Sequence, residues 1–469
     1  MASAELGMRS LGDVASLLER REVSAVELTE TMLARIEQLD GHLHSYLTLT
    51  PERALTAARA ADAELARGQR RGPLHGIPIG IKDLCATRGV RTTCGSQVFA
   101  DAIPDYDATV VRRLDAAGAV MLGKLNLTEF ALMGYHPSLP RPRNPWDASR
   151  DTGGSSSGSG VALAAGLCFA AIGTDTGGSI RLPSGWCGVV GLKPTYGRVS
   201  RFGVFPLAAS LDHVGPMARR VADAAMMLDA MAGADPQDPT TLPDAPPRCF
   251  DAIGAAIAGV RVGCDWHFME NGAQPDVVNA VKRALTVLAQ CGAQIVEVSV
   301  PPCETLLAAW PVVCAADAAA AHALTFPARR ADYGPTFRSF LDYAATLRAQ
   351  DYAAAHEARL IWSGQLRTMF EQVDVLACPS TFMTAPPADV IDPYGPFTPD
   401  IAPFLRFTAP FDFSGSPTLS VPCGFSADGL PYSLQLVARH NEEPLLCRLG
   451  HAYESATDWH LRQPPLNGM

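Results

Sequence analysis

Lysine is nearly missing from this sequence. Among 38 basic residues, only Lys82, Lys124, Lys193 and Lys282 are lysines. Arginine carries the rest, so a lysine in an apolar setting stands out. Basic blocks are missing too: the formal charge is −10 and the cations are scattered, which argues against nucleic acid or an anionic membrane as the main partner. The 12 cysteines include no CxxC pair and read as reduced, mostly buried thiols, neither a disulfide frame nor a zinc site. The histidines show no HxxxH spacing. No signal-peptide pattern follows Met1, which predicts a cytoplasmic protein. The longest small-apolar stretch, Gly160 to Thr174, falls short of the ~20 residues a membrane span needs, so no transmembrane segment is expected.

What is present is a long, ordinary globular composition. The 469 residues are 48% hydrophobic and 18% charged, enough for two or three packed layers. Residues 1–70 read as helices: Ser24 with Glu27 makes a capping box before Leu28, Met32, Leu33, Ile36 and Leu39, and Thr50 before Pro51 opens an Ala-rich second run. From Gly72 the pattern changes. GIPIGIKD and GAVMLGKLN read as strands, separated by the helical ATVVRRLDAAG, and this alternation predicts an α/β layered fold. Residues 221–370 read as mainly helical, with strands at 259–264 and 294–300. Strands return at 373–378 and between 417 and 438. No linker breaks the chain, so one domain over 1–469 is expected: helices over 1–70, a core over 72–230, and a helical insertion at about 300–400 that could cover a substrate.

Two Gly/Ser-rich loops could carry chemistry. GGSSSGSG, Gly153 to Gly160, lacks the lysine of a phosphate-binding loop, and its G-x-S-x-G match lacks the preceding strand of a nucleophile elbow. TDTGGSIR, Thr174 to Arg181, follows the strand-like LCFAAIG. Its Thr176, Gly177, Gly178 and Ser179 would present consecutive backbone N–H groups to a developing oxyanion, with Ser179 a candidate nucleophile; an ordinary turn is the alternative. No histidine lies in this Gly/Ser core. His136 is the only one in a loop near this region in sequence, and by itself it reads as a turn residue before Pro137 rather than as a base. Lys82 ends the apolar strand IPIGI, where desolvation would favour a neutral amine able to take a proton; alone, it could instead be a strand-end lysine paired with Asp83.

Taken together, GIPIGIKD, NPWD, TGGSSSGSGVALAAGL, AIGTDTGGSIRLPSGWCGVVGLKPTYGRVS and LDHVGPMARRVADAA resemble the amidase signature family over roughly residues 72 to 230, with weaker likeness to SGSPTLSVPCGF. The resemblance implies an α/β/α fold with a central mixed sheet and a Ser-Ser-Lys triad: Ser179 as nucleophile, Ser155 as bridging serine after a cis peptide, and Lys82 as base. It implies an oxyanion hole of the Thr176, Gly177, Gly178 and Ser179 N–H groups, with Asp175 and Arg181 supporting the turn. No cofactor and no metal are implied.

Two departures stand out. Ser157 occupies a position that is normally glycine, which is expected to stiffen the loop. MGYHPSLPRPR, Met133 to Arg143, differs from the longer polar segment of the amidotransferase members, so this pocket wall is expected to differ. Tyr135, His136 and Trp186 are candidate substrate contacts, and Phe205 a further aromatic near the motifs. The expected reaction is hydrolysis of an amide-type C–N bond through an acyl-enzyme, on neutral aryl or hydrophobic non-peptide amides or carbamates (urethanes), by a chain that could also form a homo-oligomer. The alternatives are the A subunit of a glutamine-dependent tRNA amidotransferase, disfavoured because DYAAAHEARLIW replaces a tyrosine-rich helix, and an inactive binding protein of the same fold.

Overall fold

Ser24 caps the first long helix as its spacing predicts. Its hydroxyl accepts from the Glu27 N–H while the Glu27 carboxylate accepts from the Ser24 N–H, and the helix runs Ala25–Leu43. Leu28, Met32, Ile36 and Leu39 fall on one buried face, each contributing on the order of 1.5–3 kcal/mol by leaving water. The computed structural model describes residues 3–466 apart from 247, 391 and 400.

A single mixed sheet runs through the molecule. Its strands are β1 (Tyr46–Leu49), β2 (Pro78–Lys82), β3 (Val120–Leu125), β4 (Ala170–Asp175), β5 (Val190–Lys193), β6 (His213–Ala218), β7 (Arg261–Cys264), β8 (Gln294–Glu297), β9 (Val375–Pro379), β10 (Thr418–Phe425) and β11 (Pro431–Ala438). They lie in the order β1-β3-β2-β4-β6-β5-β10-β11-β9-β7-β8. The pairs β3–β2, β2–β4, β9–β7 and β7–β8 are parallel, the others antiparallel. Helices surround the sheet, which is the α/β/α architecture expected. The parallel pairing of β2 with β4 has a direct consequence: both strands end on the same side, so Lys82 and Asp175 emerge next to each other.

Three strands escape the sequence reading. β1 sits inside the stretch read as helical; four residues are too few to show a period, and only its antiparallel pairing with β3 defines it. β5 and β6 lie within the Gly-rich core. β6 carries Pro216, a residue normally kept out of central strands. Pro216 pairs with Ile172 of β4 but lies beyond Met217 and Ala218, the β6 residues that pair with β5, so its missing N–H disturbs one ladder only.

The Ala-rich segment 221–370 contains the helices Val221–Met231, Pro275–Gln290, Glu304–Ala321, Pro335–Ala344 and Ala349–Met369 around β7 and β8. Glu304–Ala321, rather than Gly160 to Thr174, is the most membrane-like segment by length and composition among the described residues. Its Trp310, Val313, Cys314, Ala315 and Ala318 are buried in the protein, where it packs on Pro335–Ala344 and Ala349–Met369. All 12 cysteines are free thiols, and only Cys291 is partly exposed.

Candidate active site

Lys82 ends β2 with its side chain wholly buried. Its Nζ reaches three hydroxyls and no carboxylate: Ser155 Oγ at 2.8 Å, Ser156 Oγ at 2.8 Å and Thr174 Oγ1 at 2.7 Å. Burial, only partly offset by the more distant Asp175 and Asp212, pulls the amine down to about 7. The reading of Lys82 as a partner of Asp83 does not hold: Asp83 faces Lys124 at 3.5 Å and accepts from Thr93 Oγ1 at 2.5 Å.

The loop bearing Ser155 is fixed at both ends. Gly153 has φ +74°, and a Cβ there would come within 2.6 Å of the Pro183 backbone nitrogen, so only glycine lets this loop lie on the segment that follows Ser179. The Gly154–Ser155 peptide is cis. Ser156 N–H donates to Ser179 O at 3.2 Å, which ties the two serine-bearing loops together. The helix Ser157–Ala164 then begins, with Ser157 itself buried.

The turn after β4 is organised by Asp175. Its carboxylate accepts from Gly178 N–H at 2.6 Å and Ile180 N–H at 2.9 Å, and from Arg181 Nη2 at 2.9 Å. Although burial works against its charge, the Arg181 guanidinium holds this carboxyl well below the usual carboxylate range. The supporting role expected of Asp175 and Arg181 agrees with this geometry, but the four-donor oxyanion hole needs correction. Gly178 N–H is taken by Asp175, so Thr176, Gly177 and Ser179 remain as the backbone donors without an acceptor among the described residues.

Ser179 is half-buried and lines a cleft whose walls include Leu132, Met133, Trp186, Trp310, Phe404 and Leu405. Tyr135 and Trp186, both expected at the substrate site, line it. His136 does not: its Nδ1 is held at 2.7 Å by Ser138 Oγ and 3.2 Å from Ser138 N–H, a local turn contact after the chain has left the cleft. Phe205 also lies elsewhere. It packs on Phe99 and Phe130, each at 5.3 Å, and lines a second cavity with Thr174, Asp212 and His213.

Several residues here were not singled out by the sequence. Ser156 and Thr174 complete the hydroxyl cage of Lys82, and the triple serine was their only visible sign. Trp310 Nε1 donates to Thr176 O at 2.9 Å, and Thr408 Oγ1 donates to Gly177 O at 2.5 Å; both brace the turn from far along the chain, which no local pattern could reveal. Asp212 accepts from Thr176 Oγ1 at 2.6 Å, and burial raises its carboxyl to about 6. The cleft is not uniformly apolar either. Arg141 and Asp151 line it as an ion pair at 2.5 Å.

Lys82 thus lies among the hydroxyls of Ser155, Ser156 and Thr174, beside a glycine turn held by Asp175 and Arg181. The family model named Amidase matches residues 27–447. The chain belongs to the amidase family. AmiD of Mycobacterium tuberculosis is 46% identical over 457 residues, which is 97% of this chain and 96% of that protein. The A subunit of glutamyl-tRNA(Gln) amidotransferase from Roseiflexus sp. is 42% identical over 484 residues, covering 97% and 98%. The native peptide amidase of Stenotrophomonas maltophilia superposes with a TM-score of 0.84 at 32% identity, covering 97% of this amidase-family chain and 98% of that one.

Proposed function

We propose that this amidase hydrolyses a carboxamide-type C–N bond through an acyl-enzyme, with Ser179 as nucleophile, Ser155 as proton bridge and Lys82 as base. The observation that carries this reading is the chemistry around Lys82: a buried amine near pKa 7 that meets only hydroxyls. As an ammonium it donates to all three. Once neutral, it has a lone pair to accept the Ser155 proton. Ser155 then takes the proton of Ser179, whose oxygen attacks the carbonyl carbon. Negative charge builds on the carbonyl oxygen within reach of the Thr176, Gly177 and Ser179 N–H groups. The proton returns through Ser155 to the leaving amine, and water attacks the acyl-enzyme by the same relay to release the acid.

The substrate reading follows from the cleft. Its aromatic and aliphatic walls favour an uncharged aryl or hydrophobic amide or carbamate, because burying an unpaired charge there would cost several kcal/mol. Trp310, Pro393, Ile401 and Leu405 contribute to these walls, in keeping with a covering role for the segment at about 300–400 and the residues just beyond it. The chain would act without a partner protein.

The test is a fluorophosphonate probe with tandem mass spectrometry, followed by kinetics on neutral amides, carbamates and glutamine. The expected adduct is on Ser179, and Ser179→Ala should lower kcat by at least ~10³. An adduct on Ser156 or Ser157 overturns the assignment. Good glutamine turnover with neutral amides ignored, or turnover only after a partner protein is added, would replace this substrate reading by the amidotransferase one.

A further inference from the structure

Resting on that reading, we propose that the Arg141–Asp151 pair recognises a second, uncharged amide group within the acyl part of the substrate, making this a hydrolase of diamides in preference to simple amides. Arg141 lies on the Met133 to Arg143 segment that departs from the amidotransferase members, Asp151 lies just before the loop bearing Ser155, and both line the mostly apolar cleft that contains Ser179.

The pair is rigidly presented. Pro140 and Pro142 flank Arg141, restricting its backbone. The guanidinium sits 5.6 Å from the Tyr135 ring centroid and donates through Nη1 to Ala388 O and through Nη2 to Asp151 Oδ2. An arginine has five N–H donors, so three remain beyond these two bonds. Asp151 is fixed in turn, because its Oδ1 accepts from Gly153 N–H at 2.8 Å, two residues before Ser155. Each of its oxygens keeps a lone pair beyond the bond it already makes.

Charge selects the ligand. A lone arginine would call for a carboxylate, but here any anion would also face Asp151, and any cation would face Arg141. A zwitterion would have to pull apart an ion pair held at 2.5 Å in a largely buried wall, where each freed charge is costly. A neutral amide needs no such separation. Its C=O accepts from the free guanidinium donors or, turned the other way, its N–H donates to Asp151; in either case the pair stays bonded and one partner gains a charge-assisted hydrogen bond. An aliphatic substrate of the same length would leave those donors and acceptors unpaired, which is the basis of discrimination by a polar pocket.

The test compares benzoylglycinamide, which carries the second amide, with 4-phenylbutanamide, which replaces it by two methylenes; in both, water cleaves the terminal C–N bond to give the acid and ammonia. Wild type should favour the diamide by about 10- to 100-fold in kcat/KM, the scale of hydrogen bonds to charged groups. Arg141→Met should reduce that ratio to within about threefold of unity, and Arg141→Lys, which keeps the charge but not the fork, should restore only part of it. Fluorophosphonate labelling of Ser179 reports whether each variant is folded; if Arg141→Met does not label, Arg141→Lys decides, and a wild-type ratio there overturns the inference. An unchanged ratio in a folded Arg141→Met variant overturns it also, since the pair is then only a strut. Turnover of 4-phenylbutanamide equal to that of the diamide by wild type overturns the inference but leaves the neutral-amide reading standing, whereas turnover of neither, or a preference for glutamine over both, overturns the two together.

Discussion

Lys82 and Lys193 make an instructive pair. Both are fully buried, and burial brings both down to about 7, with Asp412 the leading opposing charge at Lys193. Their partners differ. Lys82 meets three hydroxyls, each of which can give up a proton, whereas Lys193 donates to the carbonyl oxygens of Ser416 at 2.6 Å and Pro194 at 3.3 Å, which cannot. Lys193 also stands beside the buried network of Arg181, Asp175 and Asp412, away from the cleft walls. A lowered pKa therefore does not make a base by itself. On the proposed relay, what distinguishes the two lysines is whether a proton donor with a path to an electrophile lies within hydrogen-bond reach.

The sharpest way to break this comparison is to remove each amine. Lys82→Met should lower kcat by at least ~10³, the loss expected for a central member of a catalytic unit, and Lys82→Arg should fail similarly, because a guanidinium does not release its proton in this range. Wild-type kcat/KM in Lys82→Arg would make Lys82 a structural cation. The next effect is in pH. Only neutral Lys82 can accept a proton, so kcat/KM should fall about tenfold per pH unit below about 7 and level off above it; a flat profile between pH 5 and 8 would remove Lys82 from the relay.

Smaller effects sharpen the distinction. Ser156 Oγ accepts from Lys82 and donates to Thr174 O at 3.2 Å, so Ser156→Ala should lower kcat by about tenfold by loosening the amine rather than by removing the relay. A loss as large as that of Ser155→Ala would mean that the roles of the two serines are exchanged. Lys193→Met should leave the kcat of folded enzyme within about threefold while costing about 1–3 kcal/mol of stability in urea titrations, since the Ser416 carbonyl loses its donor. Its pH signature has a definite sign. Lys193 is protonated in the unfolded chain up to its ordinary value of 10.5 but in the fold only to about 7. The unfolded state thus binds more protons across this window, and the contribution of Lys193 to stability rises with pH there. Lys193→Met should flatten that rise; a steeper one would contradict its burial.

Much of the site can be read in the sequence because each part is a local pattern. A rare lysine at the end of an apolar strand, a run of serines before a small-residue helix, and paired glycines after a second strand are chemical statements made within a few residues. The misreadings share a cause as well. Closeness in sequence associates His136 and Phe205 with the cleft, yet a turn at Ser138 and an aromatic cluster with Phe99 and Phe130 carry them elsewhere. Gly178 looks like an oxyanion donor because its turn presents N–H groups in series, and only the fold shows that Asp175 has already taken that one. The strand β1 escapes because four residues carry no measurable period.

By itself, then, the sequence determined the helix starts, the alternation that makes an α/β layer, the family, and the residue types on offer at Lys82, Ser155 and Ser179, because each depends on neighbours along the chain. Tertiary structure alone decided which of those residues meet. The parallel pairing of β2 with β4 puts Lys82 beside Thr174, Trp310 and Thr408 brace the turn from distant segments, and Arg141 closes on Asp151 to set charge into an apolar wall. Burial and desolvation, which turn an ordinary lysine into a candidate base, belong to the packed molecule and to no stretch of its sequence.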